Sequence, residues 1–333
     1  MNLLAADVGG TKSLLMLARD RHGRLEFNHL TRFESQDYPD FESMARQFLA
    51  QCHTAPEHLQ GACLAVAGPV EGEAGGRRRA RLTNLPWELD SEHLGRALGI
   101  PAVALINDFE GIAHSLPVLA DSALATLQHG EADPAGPRLL VGAGTGLGVC
   151  TICPGQELLP GEGGHSGFAP TDAQQMRLWQ FVVREAGRCT REHLLSGRGL
   201  ARIAAYLQTE DHAPGPALAE AMVREDPAAA LCRFALQDSD PLARDTLRLF
   251  VRIYGAQTGD LALAVLPTGG VYLAGGIAPR ILPLLQNGDF MAAFVNKAPM
   301  GHLLTRFPVK VITDPNAGLL GAARHVHRLV KNG

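Results

Sequence analysis

Leu3-Leu4-Ala5-Ala6-Asp7-Val8-Gly9-Gly10-Thr11-Lys12-Ser13-Leu14-Leu15-Met16-Leu17-Ala18 decides how the rest of the chain is read. Leu3–Val8 is an apolar run stopped by Gly9-Gly10, and Ser13–Ala18 is a second apolar run. The pattern predicts two strands joined by a glycine turn. A tight turn of this kind lets backbone N–H groups converge on an anion, and Thr11 adds a hydroxyl donor. Asp7, at the strand end, suits a hydrated Mg²⁺, which takes one or two carboxylates alongside waters and phosphates. The simpler alternative is an ordinary Gly-Gly hairpin. A P-loop is excluded, because G-x-x-x-x-G-K-[ST] occurs nowhere in the chain.

A second unit of the same kind lies further along. Leu139–Val141 and Leu147–Ile152 are strand candidates, joined through Gly142-Ala143-Gly144-Thr145-Gly146-Leu147-Gly148. Glycines so dense between two apolar runs predict another phosphate cradle, with Thr145 as hydroxyl donor. The stretch is not a dinucleotide fingerprint, since Leu147 stands where G-x-G-x-x-G needs glycine and a strand, not a helix, follows. Two such hairpins divide the chain into halves that share an architecture without sharing residues. Gly61–Ala67 and Ala102–Ile106 are further strands, with helices at Phe41–Ala50 and Ser91–Leu98 between them, which implies an α/β domain. A Gly/Pro-rich break spans Gly130–Pro137, and from Asp172 onward the chain turns mainly helical. Leu242, Leu247, Phe250, Val251, Tyr254 and Leu261 recur at helical spacing and predict one long buried helix. Gly318–Val330 reads as a final amphipathic helix.

Three more motifs carry chemistry. In Leu105-Ile106-Asn107-Asp108-Phe109 a buried strand gives way to a helix. Asp108 there is either the helix N-cap or a general base aimed at a substrate, with Asn107 orienting a hydroxyl. In Gly161-Glu162-Gly163-Gly164-His165 a carboxylate and an imidazole three residues apart can reach adjacent hydroxyls of one polyol; a plain surface loop is the alternative. Glu192, before Leu194-Leu195-Ser196-Gly197, is a third hydroxyl acceptor or a solvated charge. Val271-Tyr272-Leu273-Ala274-Gly275-Gly276 runs an apolar strand into glycines and lets a flat ligand such as adenosine approach the backbone. Arg77-Arg78-Arg79-Ala80-Arg81 reads as a solvated hairpin.

Composition narrows the class. The chain has 333 residues, a length suited to about two domains, and a net charge of −4. That balance argues against a dedicated nucleic-acid or anionic-membrane binder. No signal peptide and no membrane span are expected, and the six sparse cysteines suggest free thiols in a reducing cytosol. Cys150 and Cys153 form a C-x-x-C without a second ligand pair, so strand packing is preferred to zinc. Glycine is enriched, at 37 residues, and twelve of these fall in the four candidate ligand loops.

Together with Leu82-Thr83-Asn84-Leu85-Pro86-Trp87, the ordered motifs resemble the bacterial glucokinases of the hexokinase type, within the actin/Hsp70/sugar-kinase superfamily. The resemblance runs from residue 3 to about 325. It implies a two-domain actin-like ATPase fold of the ribonuclease H-like type with an interdomain cleft. Residues 1–109 plus 317–333 would form a small α/β domain and residues 110–316 a large one. It further implies ATP- and Mg²⁺-dependent phosphorylation of glucose at O6 in a cytoplasmic homodimer that opens glycolysis. By motif position Asp108 would be the catalytic base. Asn84, Asn107, Asp108, Glu162, His165 and Glu192 would bind the sugar. Asp7, Gly9, Gly10, Thr11, Lys12, Gly142, Gly144, Thr145 and Gly146 would serve the phosphates, and Gly275 and Gly276 the adenosine. Asp7 would hold Mg²⁺ through water.

Two departures from the pattern are visible. Lys12 stands where many of these enzymes have Asn, and Ala143 where Pro is usual. Both bear on nucleotide affinity. The cysteine-rich zinc motif of the related repressor–ORF–kinase family is absent. Rival readings are a kinase for mannose, fructose or an N-acetylhexosamine, a non-catalytic sugar sensor, and an actin-like ATPase module serving a protein partner.

Overall fold

The computed structural model describes residues 1–72, 76–82 and 85–332. The chain divides into two compact units, Met1–Asp121 with Asp314–Gly333, and Ser122–Thr313.

The first unit opens with β1 (Asn2–Val8), β2 (Lys12–Arg21) and β3 (Arg24–Glu34), an antiparallel meander. The glycine turn between β1 and β2 falls where the sequence predicts it. The third strand is not visible in the pattern. It is an edge strand, and its polar Arg24, Glu26 and Asn28 leave no apolar run to read. After α1 (Phe41–Gln51), capped by Asp40, the chain enters β4 (Gly61–Val66), parallel to β1. Three short strands, β5 (Val70–Gly72), β6 (Arg78–Arg81) and β7 (Glu88–Asp90), form a small separate sheet. Then come α2 (Ser91–Leu98), β8 (Val103–Asn107) and α3 (Asp108–Ser115). The five-stranded sheet has the order β3-β2-β1-β4-β8, with β1, β4 and β8 parallel.

The arginine run is not simply a solvated hairpin. Arg78 turns inward and donates to the Leu105 carbonyl at 3.0 Å and to Glu110 Oε2 at 3.3 Å. Arg77 and Arg79 do stay at the surface, both on Asp90.

The second unit begins with β9 (Leu124–Gln128), β10 (Arg138–Ala143), β11 (Leu147–Ile152) and β12 (Leu158–Gly161). Helices α4 (Ala173–Ala186), α5 (Gly197–Thr209), α6 (Pro216–Arg224), α7 (Pro227–Leu236) and α8 (Pro241–Val265) follow. The unit closes with β13 (Gly270–Ala274), α9 (Leu282–Leu285), α10 (Asp289–Val295), α11 (Gly301–Leu304) and β14 (Val309–Ile312). Its sheet has the order β12-β11-β10-β13-β14-β9. The long helix expected from the leucine and aromatic spacing is α8, started by the Asp240 cap and Pro241. It is fastened to the sheet by the buried Tyr254 hydroxyl, which donates to the Val141 carbonyl at 3.1 Å. Phe250, Tyr254, Phe290 and Phe294 join α8 and α10 in a chain of ring contacts 5.6 to 6.2 Å apart. Each such contact contributes about 0.5–1.5 kcal/mol beyond its buried area. Cys150 is buried in β11, and Cys153 lies half-buried just past its end.

The C-terminal helix α12 (Ala317–Asn332) returns to the first unit and lies against β1, β4 and α3. A Cβ at Gly321 would strike the Gly111 carbonyl of α3, so the two helix backbones touch. The sequence places the limits of this unit at 109 and 317; the compact unit runs through α3 to Asp121 and resumes at Asp314. Part of the glycine enrichment therefore serves helix packing rather than ligand loops.

Candidate active site

In the first unit the parallel strands β1, β4 and β8 deliver their carboxyl ends to one edge of the sheet. Asp7 pairs in register with Ala65 and Val66 with Asn107, so Asp7 and Asp108 emerge two strands apart, about 10 Å at the usual spacing. Burial is the main force that raises the Asp7 carboxyl to about 6. The Asp108 charge raises it further, and Lys12 pulls it back. Loss of hydration also raises Asp108, opposed by the backbone N–H groups of Phe109 and Asp108 at the helix start. The start of α12 closes this edge: a Cβ on Gly318 would stand 3.5 Å from Asp7 Oδ2.

The cap alternative at Asp108 is excluded locally. Asn107 is the N-cap of α3. Its Oδ1 accepts the Glu110 N–H at 2.5 Å, while Glu110 Oε2 accepts the Asn107 N–H at 3.3 Å. This reciprocal box satisfies the helix end. Asp108 sits one residue inside, with no side-chain partner among the described residues. Asn107 is thus occupied through its oxygen, and its NH₂ group stays available.

The first glycine loop is tighter than expected. The Gly9 N–H closes the turn on the Lys12 carbonyl at 3.1 Å, so it is not an open donor. Among the described residues nothing accepts from the N–H groups of Gly10 and Thr11. Ser35, which the sequence reading did not single out, buckles the loop. Its N–H donates to the Thr11 carbonyl at 2.8 Å and its hydroxyl to the Gly9 carbonyl at 2.8 Å. Buried Ser13 completes the link, its Oγ 3.0 Å from that of Ser35. No local pattern marks Ser35; the β2–β3 pairing brings it there.

In the second unit the Gly144 N–H closes on the Gly146 carbonyl at 2.8 Å, and no described residue accepts from Thr145 or Gly146. Gly142 and Gly148 face each other in the β10–β11 ladder. Gly275, at φ +82°, turns the end of β13 against Ala143, whose carbonyl accepts the Ile277 N–H at 3.2 Å. Glu162 and His165 flank a short turn with both side chains exposed, His165 Nε2 lying 3.6 Å from Glu162 Oε2. Glu192 is neither solvated nor fully open: its Oε2 accepts the Leu147 N–H at 2.9 Å. Asn84, expected to contact the sugar, lies outside the described residues.

The first unit thus gathers Asp7, the Gly9–Lys12 loop, Asn107 and Asp108. The second gathers the Gly142–Gly146 loop, Glu162, His165, Glu192, Gly275 and Gly276. Two units, each with a strand–glycine turn–strand hairpin in its main sheet, give the architecture of the actin-like ATPase fold. Comparison with known proteins adds the class, the sugar kinases. The family model described as Glucokinase matches residues 4–329. A glucokinase of Trichormus variabilis is 39% identical over 346 residues, covering 98% of this chain and 99% of its own. The structure of a glucokinase from an Antarctic psychrotroph superposes with a TM-score of 0.85 at 28% identity, over 98% of this chain and 99% of that one. A repressor–ORF–kinase family glucokinase from Streptomyces griseus, in complex with glucose and AMPPNP, has the same fold. It has a TM-score of 0.61 at 21% identity, with both chains fully covered. The chain belongs to the glucokinase family.

Proposed function

We propose that this enzyme transfers the γ-phosphoryl group of ATP to O6 of D-glucose, giving glucose 6-phosphate and ADP. Family membership supports the reaction. The observation that carries the chemical step is the Asp108 carboxylate, not used as the cap of α3 and made more basic by loss of hydration.

In this reading Glu162, His165 and Glu192 receive sugar hydroxyls, with Asn84 and the Asn107 amide as further contacts. As O6 bonds to the γ-phosphorus and the bond to the departing β-phosphate oxygen breaks, Asp108 takes the O6 proton. Phosphoryl transfer has a loose transition state, so positioning and charge stabilisation carry most of the rate. The open N–H groups of Gly10, Thr11, Thr145 and Gly146 donate to phosphate oxygens. Lys12 adds positive charge, and Gly142 and Gly144 shape their loop. Gly275 and Gly276 flank the adenosine.

Asp7 fits a hydrated divalent cation. It is withdrawn from water and feels the charge of a second carboxylate, Asp108, which Lys12 partly offsets. Mg²⁺ bound there would supply charge neutralisation to the donor phosphates. The same proposal extends to a cytoplasmic homodimer acting at the entry of glycolysis. No helix among the described residues is long and apolar enough to cross a membrane.

A coupled glucose-6-phosphate assay across donors and sugars tests the proposal. Glucose with ATP and Mg²⁺ is expected to give the highest kcat/KM. A higher value for mannose, fructose or an N-acetylhexosamine would move the assignment to that sugar. ATP hydrolysis without sugar phosphate would overturn it.

A further inference from the structure

Arg188 to Gly197 bonds to both functional loops of the second unit. On the sugar side, the Glu192 N–H donates to the Gly164 carbonyl at 2.9 Å and Arg191 Nη1 to the Gly163 carbonyl at 3.2 Å. Arg188 Nη2 donates to the His165 carbonyl at 3.1 Å, and the Arg191 N–H to the Ser166 carbonyl at 3.0 Å. On the phosphate side, the Gly197 N–H donates to the Gly144 carbonyl at 2.8 Å, and Glu192 Oε2 holds the Leu147 N–H. Gly146 lies directly over that carboxylate, since a Cβ there would stand 2.5 Å from Glu192 Oε2. A Cβ on Gly164 would in turn run into the Leu147 carbonyl. Each loop therefore rests on the other through Glu192.

We propose that Glu192 is a positioning residue for the phosphate loop as well as a sugar contact, and that through it sugar and nucleotide binding are thermodynamically coupled. The inference rests on the sugar-kinase reading above. The two carboxylate oxygens divide the work. Oε2 fixes the amide that follows Gly146, while Oε1 makes no hydrogen bond to the described residues and is open to a sugar hydroxyl. Withdrawing the carboxylate releases the loop even when no sugar is present. Coupling between two ligands is reciprocal, so a disturbance from the phosphate side must reach the sugar.

Calorimetry on the intact enzyme tests both directions. With AMPPNP and Mg²⁺ in the absence of glucose, Glu192→Ala is expected to weaken nucleotide binding at least about fivefold, the lower end of ordinary coupling. Arg224→Ala, in an exposed ion pair with Glu220 on α6, is expected to leave that affinity unchanged. Gly146→Ala, which presses on the Glu192 carboxylate, is expected to weaken glucose binding by a similar factor in the absence of nucleotide. If Glu192 serves only the sugar, nucleotide affinity without glucose is unaltered in Glu192→Ala, and the proposal falls. Should Glu192→Ala not fold, unchanged glucose affinity in Gly146→Ala overturns it. Wild-type enzyme that binds neither ligand would instead reject the sugar-kinase reading itself.

Discussion

Asn107 Oδ1 accepts the Glu110 N–H at 2.5 Å, and this bond makes Asn107, not the adjacent Asp108, the N-cap of α3. A helix end needs a side-chain acceptor for its open N–H groups. The preceding residue supplies one, so the carboxylate next to it is not the cap, though the N–H groups of Phe109 and Asp108 still act on it.

The division of labour separates two variants. Asp108→Ala is expected to lower kcat by about 10²-fold or more, with a melting temperature close to that of the wild type. Asn107→Ala is expected to cost about 1 kcal/mol of stability through the lost cap, and to raise the KM for the sugar. Steady-state kinetics beside thermal unfolding check both. Near-normal kcat in Asp108→Ala would remove it as the base.

A buried imidazole pair makes stability pH-dependent. His325 Nδ1 lies 2.9 Å from His114 Nε2, linking α12 to α3. Burial lowers His114 to about 3 and His325 to about 4, reinforced by Arg78, Arg324 and Arg328. Both values lie below the unfolded value of about 6.5, so between them the unfolded chain binds more protons. Stability is therefore full above about pH 6.5 and falls as the pH drops toward 4. The slope is at most about 1.4 kcal/mol per pH unit for each group. Urea unfolding at stepped pH measures it, and His114→Leu with His325→Leu should flatten it.

Arg78 supports the same helix from the small sheet. Arg78→Ala removes its bonds to the Leu105 carbonyl and to the half-buried Glu110, which also completes the Asn107 box. A loss of about 1–3 kcal/mol is expected, with a fall in kcat because Asp108 rides on that helix turn. Arg79→Ala, an exposed member of the run paired with Asp90, should change stability by less than about 0.5 kcal/mol.

Contact between the α3 and α12 backbones predicts intolerance at Gly321. Gly321→Ala places a methyl group against the Gly111 carbonyl. The helices must separate, at about 1–3 kcal/mol. Calorimetric melting checks this, and an unchanged melting temperature would show that α12 is not seated there.

Much of this protein is written in short-range terms. The glycine turns at 9–10 and 142–148, the Asp240–Pro241 start of the long helix and the strand that ends at Asn107 all follow from turn chemistry and apolar period. Those same motifs, in order, carry the family. Long-range pairing decided the rest. It placed Ser35 under the first loop and Arg78 against Glu110. It set Glu192 beneath an amide 45 residues away and His325 against a ring 211 residues earlier. Local sequence specifies backbone conformation, because propensity and period act within a turn or a strand. Which side chain satisfies which buried group depends on elements that meet only when the sheets and helices pack, and a linear pattern does not hold that information.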